Sequence, residues 1–181
     1  MKPLVYGLFL ISVNLIMAQA KYLTKTGTVG FEASVPSFEE VRASTNTVTA
    51  ILNADNGEFA ALVLVKGFRF KNALMEEHFN ENYAESHKFP KATFKGKIED
   101  YDLLKLGQKS KYILNGELNF HGKTKLIDGV EIIISETNDM IHLEGEFMTK
   151  ASDFDIKIPK IVRNKIAETV EVSFDFELKM K

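Results

Sequence analysis

The chain has no cysteine. That removes disulfides, thiolate nucleophiles, thiolate metal sites and lipid attachment to a cysteine at a cleavage site. No G-x-S-x-G prepares a serine nucleophile, and no glycine-rich loop offers a cradle for phosphates. The four histidines, His78, His87, His121 and His142, fall into neither H-x-x-x-H nor HExxH spacing, so no metal ligand set is expected. The carboxylate pairs Glu39-Glu40 and Glu76-Glu77 read as ordinary acids on wet surfaces. Charge of one sign is also scarce: Lys plus Arg number 23 against 25 Asp plus Glu. A mildly acidic chain has no general attraction for nucleic acid. Enzyme chemistry is therefore unsupported, and no cofactor is expected.

What the chain does have is apolar content, 45% hydrophobic residues with 14 Phe. The first part is spent on export. Met1-Lys2 gives a positive start, Leu4 to Met17 is uncharged and apolar, and Ala18-Gln19-Ala20 fits small-x-small cleavage. The apolar run is short of the ~20 residues a span needs. Residues 1–20 are thus expected to be a secretory signal peptide and 21–181 a single domain, not membrane-spanning once processed. Losing Lys2 with the leader makes the net charge one unit more negative.

Alternation at period two dominates the rest. Val29, Phe31 and Ala33 oppose Thr28, Gly30 and Glu32. Residues 46–53 read as a strand, Asp55-Asn56-Gly57 as a tight turn, and 58–70 as the returning strand, with both faces apolar from Phe59 to Val65. From Ala92 a strand runs to Ile98. Residues 101–111 read as a charged connection. Further strands are expected over 111–121, 123–127, 130–135, 140–149 and 168–180. In the last, Val170, Val172, Phe174, Phe176 and Leu178 alternate strictly with Glu171, Ser173, Asp175 and Glu177. Pro159 to Lys165 reads as a short helical piece.

One stretch breaks the pattern. Leu74, Met75, His78, Phe79 and Tyr83 share roughly one helical face, while Glu76, Glu77, Asn80 and Glu81 take the other. Phe89-Pro90 closes the segment, since a residue before proline leaves the helical region. The fold class expected is all-β: an antiparallel barrel of about eight strands, wet outside and apolar inside, with one short helix over about 73–84. A sandwich is the second architecture compatible with alternation alone.

Three phrases resemble one family. Leu74-Met75-x-x-His78-Phe79, an Asn-Tyr pair and Lys88-Phe89-Pro90-Lys91-Ala92-Thr93-Phe94-x-Gly96 are similar to the central signature of the YceI-like proteins. Asn115-Gly116-Glu117-Leu118-x-x-His121-Gly122-x-Thr124-Lys125 is similar to a second motif, with His-Gly at a hairpin corner. Ser152-Asp153-Phe154-Asp155-Ile156 resembles a third. The resemblance implies a lipocalin-like barrel, secreted to the periplasm, that binds a long-chain apolar lipid, a polyisoprenoid or quinone-like molecule. It would be a carrier rather than an enzyme.

The apolar tunnel would be lined by Phe31, Phe68, Phe70, Leu74, Met75, His78, Phe79, Phe94, Leu118, Phe120, Phe147, Val172, Phe174 and Phe176. Arg69, Lys71, Lys88 and Lys91 flank the helix in sequence and would contact a charged head group. Each of these assignments has a plainer counterpart. The Phe stripes equally suit a barrel filled by its own side chains, acting as a structural or interaction module. His78 is either a hydrogen-bonded core residue or a polar group lining the cavity. His121 and His142 read as structural, and His87 as solvent-facing. If the barrel is left open, the edge strand 168–180 would allow a homodimer.

Overall fold

A computed structural model describes residues 20–103 and 110–181. The expected leader, residues 1–20, lies outside the described residues except for Ala20, and most of the charged connection 101–111 also lies outside them. Eight long strands form one closed antiparallel sheet: β1 (Lys21–Ser34), β2 (Arg42–Asn53), β3 (Glu58–Leu64), β5 (Lys91–Ile98), β6 (Ser110–Phe120), β7 (Lys123–Thr137), β8 (Met140–Lys150) and β9 (Ile166–Met180). A two-residue strand, β4 (Arg69–Phe70), attaches to β2. The order is β1-β9-β8-β7-β6-β5-β3-β2, and pairing of β1 with β2 closes the barrel.

Closure corrects one expectation. β9 pairs with β8 on one side and with β1 on the other, so 168–180 is not a free edge and offers no strand to a second copy. A closed barrel has no edge to protect.

The strand that was expected over 58–70 is broken. β3 ends at Leu64, a 3-10 turn covers Val65–Gly67, and Arg69–Phe70 crosses to Ser44 and Ala43 of β2. Phe59, Ala61 and Val63 face inward; Leu64, 49% exposed, faces out. The segments 123–127 and 130–135 are one strand, β7, with Gly129 at φ 71 where the register against β6 shifts. A local kink with one extra residue is how a strand bends around a barrel without ending. Two-residue loops, His121-Gly122 and Asn138-Asp139, join β6–β7 and β7–β8, with all four residues at positive φ. This is the backbone that matches the twist of a hairpin. Pro159–Lys165 forms turns rather than a helical piece.

The helix α1 covers Ala73–His78. Asn72 starts it, its side-chain oxygen accepting from the Leu74 and Met75 N–H groups at 2.9 and 3.4 Å. A π turn, Phe79–Tyr83, continues it, and the Ala84 N–H reaches the Phe79 carbonyl at 2.7 Å.

The two ends of the barrel differ. Where β1 begins and β9 ends, Tyr22, Leu52, Ile98, Ile132, Ile134, Ile141, Leu143 and Leu178 are all 2% exposed or less. Full burial of such side chains contributes about 1.5–3 kcal/mol each. At the other end the inward residues Phe31, Phe94, Leu118, Phe120, Phe147 and Phe174 are only partly buried, although they point to the interior. They face empty space.

Candidate functional site

That space is a cavity of about 500 Å³, within the range of small-molecule sites. Its deep wall is aromatic. Phe59 lies 5.6 Å from Phe176 and 6.3 Å from Phe94, and Phe174 stacks on Phe176 at 5.7 Å. A second cluster forms under the helix, where Phe79 packs within 5.2–5.9 Å of Phe31, Phe68 and Phe70. α1 and its π turn cap this side by directing Met75, His78, Phe79 and Tyr83 inward. Residues that both line the cavity and stay exposed mark its opening: Phe38, Glu39, His78, Lys150 and Lys165.

Two glycines keep the bore open. A Cβ on Gly145 would come within 2.7 Å of Cζ of Phe174, the residue paired with it across the ladder. A Cβ on Gly27 would lie 2.4 Å from Cδ1 of Phe176. Each missing side chain lets a ring lie against the wall instead of across the lumen.

All the residues expected in the tunnel line the cavity except Leu74. Leu74 is 56% exposed and does not line the cavity, which corrects that assignment. The stripe begins one residue later, at Met75, and Leu74 lies on the flank of the first turn. His78 resolves its two readings: it lines the cavity but is exposed, so it is a rim group rather than a core one.

None of the four cations expected at a head group reaches the lining. Arg69 is held by Glu76 at 3.1 Å and by the Lys66 carbonyl at 2.8 Å. Lys88 sits 3.7 Å from Glu85 and 5.0 Å above the Phe89 ring. Lys71 and Lys91 are exposed. Being next to the helix in sequence does not place a residue next to its inner face. The cations that do line the opening are Lys150 and Lys165.

Sequence reasoning also missed a roof. Ile156, Ile158 and Val162 close over the cavity from the segment between β8 and β9, joined by Ile166 at the start of β9. The alternation of Ile156 and Ile158 was the available signal, cut short by Pro159.

The three phrases that resembled a family meet at the rim. His121 Nδ1 lies 2.8 Å from the Phe154 carbonyl oxygen, and Nε2 lies 2.8 Å from Oε2 of Glu85. The His121 ring meets Phe89 edge-on at 4.6 Å. Gly122, at φ 72, leaves the Phe89 ring a seat that a Cβ would fill at 2.6 Å. Lys123 pairs with Asp155 at 2.6 Å and Lys125 pairs with Asp153. This clasp ties the chain after the helix, the β6–β7 corner and the 3-10 turn Ala151–Phe154 into one unit. The hydrogen bond from His121 holds the Glu85 carboxyl below the usual carboxylate range, and those from Lys125 and Lys123 do the same for Asp153 and Asp155. Burial pushes the Tyr83 phenol up, so it lines the cavity as a neutral group.

On the outer wall His142, Glu144 and Asp175 bring one ligand atom each within 4.8 Å, with His142 Nε2 at 3.1 Å from Asp175. They belong to the exposed side of β8 and β9, away from the cavity.

A closed eight-stranded barrel, packed at one end and hollow at the other, with a helix over the hollow end, defines a lipocalin-like class. The YceI-like domain family matches residues 22–178, and the chain belongs to that family. Solved structures agree on the fold. A polyisoprenoid-binding domain from Saccharophagus degradans, implicated in plant cell wall breakdown, superposes with a TM-score of 0.76 at 16% identity, covering 91% of this chain and 100% of that one. BcnA of Burkholderia cenocepacia gives 0.69 at 17% identity, covering 84% and 95%. The YceI protein of Campylobacter jejuni gives 0.53 at 15% identity, covering 100% and 99%. None of the curated proteins matches the chain in sequence. Among the described residues no helix is long and apolar enough to cross a membrane.

Proposed function

We propose that the protein is a carrier that takes one long apolar chain into the open end of the barrel and shields it from water. One observation carries this reading: the cavity of about 500 Å³, walled by Phe, Val and Ile side chains. At the ~30 Å³ that a water-sized group occupies, the cavity holds roughly 15–20 heavy atoms. That is the size of a prenyl chain of three or four isoprene units, and a longer polyisoprenoid or quinone tail would extend past the rim. Each methylene transferred from water contributes ~0.8 kcal/mol, so binding needs no specific polar contact inside. The prenyl class is supported by the Saccharophagus degradans domain of the same fold, which is polyisoprenoid-binding.

The proposal assigns no catalysis. The charged or imidazole groups of the lining, Glu39, His78, Lys150 and Lys165, sit where the cavity meets water, Tyr83 adds a neutral phenol, and among the described residues no hydrogen bond joins any two of these five. A general base needs its partner within hydrogen-bond reach. The proposal also places the protein in the periplasm, exported by residues 1–20. The leader pattern supports that placement, and N-terminal sequencing of the protein recovered from its native cell checks it: Lys21 is the expected first residue.

Solvent extraction of natively purified protein, followed by mass spectrometry, tests the carrier reading. A stoichiometric prenyl or quinone-like lipid is expected. An extract that stays empty after incubation with such lipids would refute carriage and favour a module acting through its outer surface.

A further inference from the structure

The roof segment has two faces. Ile156, Ile158 and Val162 turn down into the cavity, whereas Lys157, Lys160, Ile161 and Arg163 are exposed on top. Ile161 is 85% exposed. The turn is held in shape: the Val162 N–H donates to the Pro159 carbonyl at 3.0 Å, and the Lys165 and Ile166 N–H groups donate to the Val162 carbonyl at 2.8 and 3.1 Å. Ile161 therefore projects from an ordered tip.

Positive charge concentrates here. Lys157, Lys160, Arg163 and Lys165 follow one another with no acid between Asp155 and Glu168, in a chain whose net charge is −2. The acids at either end are engaged. Asp155 pairs with Lys123 at 2.6 Å, and Glu168 accepts from the Ser152 hydroxyl at 3.2 Å. Among the described residues Lys157, Lys160 and Arg163 close no ion pair with an acid. Two more large apolar side chains are exposed at the same end, Phe38 at 44% and Leu74 at 56%. The helix side carries the exposed acids Glu77 and Glu81.

We infer that the tip formed by Lys157, Lys160, Ile161 and Arg163 docks the barrel onto a bilayer containing anionic phospholipid. An apolar side chain ringed by cations matches such a surface, with the cations at the head groups and the isoleucine among the acyl chains. The same segment roofs the cavity, so docking brings the opening to the place where a water-insoluble chain resides. The inference rests on the carrier reading for its purpose but not for its test.

The test is flotation of the purified protein with vesicles of phosphatidylcholine alone and of phosphatidylcholine mixed with phosphatidylglycerol. Partition onto the mixed vesicles alone is expected, and its loss at about 1 M salt, where the Debye length is about 3 Å. Each cation near an anionic surface is worth about fivefold in partitioning. The variant Lys157→Gln/Lys160→Gln/Arg163→Gln should then partition about a hundredfold less, and Ile161→Asp should also weaken it. Both variants keep their downward-facing residues, and an unchanged Tm confirms that they fold. Transfer of a prenyl alcohol from the mixed vesicles to the triple variant should slow, while its affinity for the same alcohol supplied on cyclodextrin stays at the wild-type value. Wild-type protein that ignores the mixed vesicles, or a triple variant that still partitions onto them, would overturn the inference. Absence of binding from cyclodextrin would instead refute the carrier reading, and flotation would still decide docking.

Discussion

The two ends of this barrel are built from the same strands with the same alternation, yet one is solid and the other hollow. At the solid end aliphatic residues, Leu52, Ile98, Ile134, Ile141, Leu143 and Leu178, meet at the axis with almost no exposure. At the hollow end the inward positions carry mainly phenylalanines, which lie against the wall over glycines such as Gly27 and Gly145. Branched aliphatics fill a barrel, while rings seated on glycines stand back from its centre. The long connections also differ. Residues 35–41, 65–90 and 151–165 all lie at the hollow end and cover it; at the solid end 54–57 and 138–139 are tight turns, while Tyr101 and Leu103, from the connection after β5, pack against the core.

The contrast is sharpest in stability. Leu143→Ala at the solid end is expected to cost 2–5 kcal/mol, because it leaves a void among residues that cannot collapse. Phe147→Ala, two strand positions away from Gly145 and already facing empty space, should cost clearly less in chemical denaturation while weakening prenyl binding. Equal losses at both positions would erase the distinction between the ends.

Next in size is the clasp. His121→Ala leaves the Phe154 carbonyl and the Glu85 carboxylate without the ring that joins them, and is expected to cost ~1–3 kcal/mol. Amide exchange should quicken over residues 79–89 and 151–154 while residues 132–143 remain protected. Uniform quickening would mean that the clasp supports the whole barrel instead of its rim.

Acid should act on the same end. Glu85, Asp153 and Asp155 have carboxyl groups held below their ordinary values by His121, Lys125 and Lys123. Their unfolded counterparts bind protons first as pH falls, so their stabilisation is full above the ordinary carboxylate range and is lost as pH drops through it. Protection factors at the rim should therefore fall below about pH 4 before those at the solid end respond. A rim indifferent to acid would contradict the clasp.

The smallest effect is expected outside both ends. Arg69→Ala and Lys71→Ala lie on the surface, and Arg69 contributes an exposed ion pair with Glu76 and hydrogen bonds to the Lys66 and Phe68 carbonyls, so binding should be unchanged and stability altered by about 1 kcal/mol or less. A large loss of affinity, read by calorimetry, would return these cations to the site.

Much of this contrast was legible in the sequence. Period-two alternation exposed the strands, and the stripe from Leu74 to Tyr83 exposed the helix and, Leu74 apart, its inner face. The inward phenylalanines could be listed, but whether they filled the interior depended on glycines across the ladder, and register is not written in one strand alone. Phe68 and Phe70 were found for an incomplete reason. The apolar run from Phe59 onward hid the break at Val65–Gly67 that carries them to β2. The roof escaped because two alternating isoleucines before a proline are too short a pattern to separate from a loop. The cations expected at a head group do not reach the cavity lining, because distance along the chain stood in for distance in space.

The central claim is that the hollow end measures out a chain of limited length, and a homologous series tests it most directly. Titration calorimetry with straight-chain and prenyl alcohols of increasing length should show affinity rising about fourfold per methylene. The rise should level off at roughly 15–20 carbons, where the cavity is full. Affinity that does not depend on length, or that keeps rising well past that point, would contradict a cavity of this size as the binding site.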